Sequence, residues 1–298
     1  MSGPKSALPG GVTNAIKTLR FGIEIEVANL SPRRLAMTIA AAVGGRIIGG
    51  DAEDGFSVLD RYDRVWTAIL DLSIVGTESG EVVSPILRYE DLAEVAVVVR
   101  AVAQAGGRTN RSTGIHVHVD SSRFDAASMT ELVRLVYRHD RLIEYALRID
   151  PFRRESYCKP VDATFVERLE ARGATMADVK DAWYGRAFVW RDRADPTRYH
   201  GLNLNSVFYR GTVELRHFNS TLDPNLVVAY VQFALALSAR ALSPGTEPTP
   251  RAPQELRFMT AKFDFRVFLL RLGLKGDEFA AARQALLAPL GGKSTGAR

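Results

Sequence analysis

Gly114-Ile115-His116-Val117-His118-Val119-Asp120 alternates strictly, so two imidazoles share one side of an extended chain while Ile115, Val117 and Val119 share the other. Phe21-Gly22-Ile23-Glu24-Ile25-Glu26-Val27 repeats the pattern with two carboxylates, within a strand predicted for 21–29. Thr212-Val213-Glu214-Leu215-Arg216-His217-Phe218 repeats it again with a carboxylate and a guanidinium. Any one of these polar faces could be merely half solvated. Two of the five histidines within a three-residue window are less ordinary, because imidazoles turned into a core need partners. The three strands together predict a sheet with one apolar face for helices and one face that gathers reactive groups.

The flanking sequence fills in the architecture. Ser31-Pro32 opens a helix predicted for 31–43, stopped by Gly44-Gly45. Short strands are expected at 66–71 and 81–84 around a turn at 76–80, then a helix over 89–105 ended by Gly106-Gly107. Helical periodicity covers 125–148, two further helical segments lie at 162–172 and 175–184, and a mostly apolar helix is expected over 223–242. The stretches 202–209 and 212–218 read as a hairpin turned at Arg210-Gly211. Strands interrupted by long helices predict an α+β fold: a curved, largely antiparallel sheet backed by helices, with a C-terminal helical extension. Residues 1–19 and 289–298 are expected to fray. A catalytic unit would span 20–243, and a Pro-rich connector with two helices, at 254–272 and 276–288, would pack on it as 244–288.

Composition narrows the function. The 298 residues are 46% hydrophobic and 24% charged, an ordinary globular balance. No apolar run reaches the roughly 18–20 residues a spanning helix needs, and neither a secretory nor a transit segment is evident, so a cytoplasmic protein is expected. A single cysteine, Cys158, excludes a disulfide scaffold and a thiolate zinc cage. The net charge of +5 is spread as single arginines and forms no nucleic-acid stripe. Neither a Walker-type GxxxxGK[ST] loop nor a GxGxxG turn after a strand is present.

Carboxylates gathered on one face must take up protons or bind cations, and a glutamate-rich set with a little imidazole suits Mg²⁺ or Mn²⁺. Asp71 and Glu81, at the ends of the two short strands, are further candidates, each with a turn or cap role as the alternative. Arg216 is either the salt-bridge partner of Glu214 or a fixed cation for a transferring phosphoryl group.

Phe21-Gly22-Ile23-Glu24-Ile25-Glu26, Asp71 with Glu81-Val82-Val83-Ser84-Pro85, the His116/His118 strand, Leu202-Asn203 and Thr212 to Asn219 together resemble the amidoligase family. That family is a branch of the glutamine synthetase and glutamate-cysteine ligase superfamily. Arg154 and Tyr157-Cys158-Lys159-Pro160 resemble a further family segment. The resemblance implies a bowl-shaped sheet holding ATP and divalent metals, and an ATP-dependent carboxylate-amine ligase that makes an amide or isopeptide bond through an acyl phosphate. It implies that Glu26, Asp71 and Glu81 hold the metal near the substrates, and that Glu24, His116 and Glu214 hold the metal on the ATP phosphates. His118 would lie beside the nucleotide, Arg216 would act on the transferring phosphoryl group, and Arg154 and Lys159 would grip phosphate or a substrate carboxylate. Partners would be small-molecule or peptide acids and amines, with no nucleic acid and no membrane.

Other readings remain open at this level. Glu78 competes with Glu81 as the ligand. A zinc hydrolase could use His116, His118 and Glu214 with an open position for water. A nucleotide-binding sensor or a phosphotransferase could share the fold and its ligands.

Overall fold

The computed structural model describes residues 11–76, 78–172, 174–185, 194–243 and 248–291. The chain begins with α1 (Gly11–Ile16), β1 (Phe21–Ala28), α2 (Pro32–Ala42), β2 (Arg46–Asp51), β3 (Gly55–Leu59), β4 (Val65–Ile69) and β5 (Ser79–Val83). It continues through α3 (Leu92–Gln104), β6 (Gly114–Asp120), α4 (Ala126–Leu147), α5 (Pro151–Ser156), α6 (Ala163–Arg172) and α7 (Met176–Tyr184). The remaining elements are β7 (Leu202–Asn203), α8 (Asn205–Arg210), β8 (Thr212–Asn219), α9 (Pro224–Ala241), α10 (Ala261–Arg271) and α11 (Ala280–Leu287).

The strands form one open sheet in the order β2-β3-β4-β5-β1-β6-β8-β7, and the pairings are antiparallel. The α+β expectation therefore holds. β1 lies between β5 and β6, and its register sets Glu24 opposite His116 and Glu26 opposite Glu81, while β6 sets His118 opposite Glu214. A one-residue slip would turn these groups into the apolar layer, so burial of Ile23, Ile25, Val117 and Leu215 fixes the register.

Between Ile115 and Val117 the β6–β8 register shifts, leaving Arg216 and His217 opposite His116 alone. This bulge keeps Glu214 and Arg216 on the open face while His217 and Phe218 both turn toward the helices. His217 comes within 4.0 Å of Asp140 on α4, and Phe218 stacks on Tyr230 of α9 at 4.4 Å.

α9 is apolar nearly all round because it is buried nearly all round, packed on β6 and β1 and among α1, α3, α4 and α11. Asp223 caps its N-terminus by accepting from Asn225 N at 2.9 Å, ahead of Pro224. α2 covers the β2–β5 half of the sheet. α10 and α11 pack on α4 and α9. Among the described residues no helix is long and apolar enough to cross a membrane.

The structure departs from or adds to the sequence reading in several places. The stretch 202–209 is not a long strand, because only Leu202–Asn203 pairs with β8. Asn203 Oδ1 accepts from Asn205 N at 2.9 Å and starts α8, which Gly211 closes at φ +76. A β2–β3 hairpin occupies 46–59, where β2 is exposed along its whole length and so carries no alternating signal. The N-terminal part is folded from Gly11, with Ala15 and Ile16 buried and Thr13 Oγ1 donating to Gly273 O at 2.9 Å; residues 1–10 lie outside the described residues. In the Pro-rich connector, 244–247 are outside the described residues, while Thr249 is buried and donates through Oγ1 to Glu131 at 2.7 Å. Of the tail, Leu290 is buried and 292–298 are outside the described residues.

His139 joins α4 to α10 by stacking on Phe268 at 4.0 Å, with Nδ1 2.9 Å from Leu135 O. Burial pushes its imidazole down to about 4. Since the unfolded chain takes up that proton near the ordinary pH of 6.5, native stability is full above that value and declines as pH falls toward 4. By pH 5 the loss from this residue is roughly 2 kcal/mol. Urea unfolding of His139→Phe at pH 7 and pH 5 is expected to show a smaller drop than the unsubstituted protein, by about that amount; equal drops would contradict the assignment.

Candidate metal centre

The open face forms the floor of a cleft of about 490 Å³, lined by Glu24, Glu26, Glu81, His116, Glu214 and Arg216 together with residues of β4, β7 and α8. The size is in the range of small-ligand sites. Its floor comes from four strands, β1, β5, β6 and β8, so antiparallel pairing converges side chains that lie far apart in the sequence.

Among the described residues, two groups of potential ligand atoms lie within 4.8 Å of one another: Glu24, His116 and Glu214, and Glu26, Glu81 and His116. The imidazole of His116 stands between them. Its Nδ1 is 3.3 Å from Glu24 Oε2 and 3.8 Å from Glu214 Oε1, and its Nε2 is 3.5 Å from Glu26 Oε1. A neutral imidazole has one lone pair, so His116 can offer a ligand atom to only one of the two groups at a time. His118 Nδ1 lies 3.0 Å from Thr212 Oγ1, and its Nε2 faces Glu24 at 3.4 Å and Glu214 at 3.9 Å. The trio His116, His118 and Glu214 is not among the converging groups.

Charge explains the tension in this set. Burial opposes ionisation of Glu24, yet His118 and His116 beside it hold its carboxyl well below the usual range. Burial likewise opposes ionisation of Glu214, and Arg216 with the two imidazoles overcomes it. Glu81 goes the other way: burial and then the charges of Glu24, Glu26 and Asp71 push its carboxyl well up. Burial works against the charged form of His118, but Glu24 and Glu214 raise it overall.

Fixed groups hold the ligands in place. Arg216 Nη1 donates to Glu214 Oε1 at 2.5 Å and its Nε to Tyr157 O at 3.3 Å. Asn203 Nδ2 donates to Glu214 Oε2 at 2.6 Å, which gives the Leu202-Asn203 pair a role that its sequence did not reveal. Gly114 N donates to Glu26 Oε2 at 2.6 Å.

Asp71 lines the cleft at its rim, where Oδ1 accepts from Ser73 N at 2.8 Å. Glu81 is buried opposite Glu26, whereas Glu78 is exposed and does not line the cleft. Arg154 is not brought to the cleft: its Nε pairs with Glu144 of α4 at 2.7 Å. Lys159 is exposed and also lies off the lining, contributing backbone bonds to Tyr199 and Gly201.

The neighbour of Arg154 holds the position instead. Arg153 is 1% exposed, its Nη2 donates to Arg216 O at 3.2 Å, and its Nη1 is 3.9 Å from Glu26 Oε2. A β-carbon on Gly114 would stand 2.2 Å from this guanidinium, so the glycine makes the space the arginine fills. Arg210 at the end of α8 was missed in the same way, and donates to Glu24 Oε1 at 2.6 Å.

The residues present fit a divalent cation. Carboxylate oxygens dominate both converging groups, and each includes one imidazole nitrogen of His116.

The family described as "Putative amidoligase enzyme" matches residues 17–238, and the chain belongs to it. No curated protein matches the chain. Among solved structures, that of a bifunctional glutathione synthetase from Pasteurella multocida is similar, with 11% identity and a TM-score of 0.44. The match covers 94% of this chain and 49% of that one, so this chain spans about half its length.

Gly114→Ala is expected to cost about 1–3 kcal/mol, because Arg153 can retreat only by leaving the Arg216 carbonyl and Glu26. The same substitution made in Arg153→Ala is expected to add less than about 1 kcal/mol, since the clash is gone. Chemical denaturation of the four proteins checks this; equal costs in both backgrounds would show that Gly114 serves something other than Arg153.

Proposed function

We propose that this protein is an ATP-dependent carboxylate-amine ligase that makes an amide or isopeptide bond, using Mg²⁺ or Mn²⁺. The observation that carries this reading is the pair of ligating groups meeting at His116 on the floor of one cleft. Family membership supports a ligase.

Glu24, Glu214 and His116 through Nδ1 would hold one cation, and Glu26 and Glu81 with Asp71 at the rim a second. A divalent cation at these positions neutralises phosphate charge and polarises the phosphoryl oxygens. His116 Nε2–H would then donate to Glu26, keeping the imidazole in one tautomer.

A carboxylate is a poor acyl donor because its leaving group is oxide. In the proposed reaction a carboxylate oxygen of the acid substrate attacks the γ-phosphorus of ATP, the bond to the bridging oxygen breaks, and ADP departs. The amine nitrogen then attacks the acyl carbon of the resulting acyl phosphate, inorganic phosphate leaves and the nitrogen loses a proton. Arg216 is fixed at both ends, by Glu214 and by Tyr157 O, so its guanidinium meets the charge on the transferring phosphoryl group without reorganising. Arg153 balances Glu26 from behind and keeps it directed into the cleft. His118, tied to Thr212 Oγ1, borders the nucleotide.

Thermal unfolding with a non-hydrolysable ATP analogue and Mn²⁺ at about 100 times the dissociation constant is expected to raise the midpoint by roughly 4–5 °C. Glu24→Ala should lose that shift. Stabilisation by zinc alone, with no response to any nucleotide, would overturn the reading.

A further inference from the structure

Arg210 belongs to two cavities. The acidic cleft adjoins a second hollow of about 350 Å³ floored by Gly22 and walled by Pro85 and Ile86, and the boundary between them is formed by Glu24, Val83 and Arg210. Ile86 is 68% exposed, so the hollow presents apolar surface beside the charged floor.

The arginine stands on a cation's ground. Its Nη1 donates to Glu24 Oε1 at 2.6 Å, while the other oxygen of Glu24 faces His116 Nδ1. A divalent cation in the Glu24, His116 and Glu214 group must draw on the same carboxylate. The two positive charges then share one anion at contact distance and repel. Arg216 cannot be the one to yield, because it is buried and bonded at both ends. Arg210 can: its side chain is 39% exposed, and it is the last residue of α8, followed by Gly211 at φ +76.

Resting on the ligase reading above, we propose that Arg210 is an exchangeable counter-ion of Glu24, displaced when the divalent cation binds and thereby freed to bind phosphates of the nucleotide. Displacement turns the guanidinium away from Glu24 while it stays at the junction of the two cavities. There it meets a ligand with a planar apolar part in the hollow and a polyanion over the acidic floor, which is the chemistry of a nucleoside triphosphate. The exchange makes binding ordered by charge. Without the cation Arg210 is occupied and the acidic floor repels phosphate; with it, both the metal site and the guanidinium attract phosphate.

The test measures Mn²⁺ alone and a non-hydrolysable ATP analogue with Mn²⁺, by calorimetry, on the unsubstituted protein, Arg210→Met and Arg210→Lys. Removing the competing cation is expected to tighten Mn²⁺ binding by roughly threefold or more. The same change should weaken nucleotide binding by about tenfold or more. Arg210→Lys, which keeps a charge but not the fork, should fall between on both. Opposite signs in the two titrations are the signature of exchange. A merely structural ion pair would weaken Mn²⁺ binding in Arg210→Met by loosening Glu24, or change neither titration, and either result overturns the proposal. An unsubstituted protein that binds Mn²⁺ but no nucleotide would instead overturn the ligase reading, and the Mn²⁺ titrations would still decide whether Arg210 competes for Glu24. Far-UV circular dichroism of each variant confirms that the comparison is between folded proteins.

Discussion

A carboxylate can be buried only with compensating positive charge, and the open face of this sheet gathers Glu24, Glu26, Glu81 and Glu214 on four neighbouring strand positions. Three arginines answer three of them: Arg216 beside Glu214, Arg153 behind Glu26, and Arg210 at Glu24. Glu81 faces like charges and is the carboxyl pushed upward. The three arginines thus neutralise the set only in part.

The rest of the molecule keeps these groups from drifting apart. Antiparallel register fixes which side chains face one another, and the apolar faces of β1, β6 and β8 are pinned by the helical layer around α9. The bulge in β8 lets Arg216 remain on the open face while Phe218 anchors to Tyr230. Gly114 contributes by absence of a side chain, since the Arg153 guanidinium fills the space beside it. Packing on the closed face and charge on the open face are two consequences of the same alternating strands.

Much of this was legible in the residues. Strict alternation located β1, β6 and β8 and assigned Glu24, Glu26, His116, His118, Glu214 and Arg216 to one face, while start and stop residues placed α2 and α3, periodicity placed α4, and an apolar run placed α9. What escaped had local reasons. β2 is exposed along its length and shows no period. Val207, Phe208 and Tyr209 favour strand, but the turn made by the Asn203 side chain starts a helix there. Arg153 and Arg154 are adjacent on a helix and project about 100° apart, so only the docking of α5 decides which one reaches Glu26. Arg210 looked like a turn residue, and its contact with Glu24 spans most of the chain.

The central claim is that the two ligating groups meeting at His116 hold divalent cations that serve a nucleotide. Anomalous diffraction from crystals grown with Mn²⁺ and a non-hydrolysable ATP analogue tests it most directly. The account predicts one manganese peak among Glu24, Glu214 and His116 Nδ1, a second beside Glu26 and Glu81, and triphosphate density above them. An absence of manganese from both groups, or a single ion bound by His116, His118 and Glu214 with no nucleotide, would contradict it.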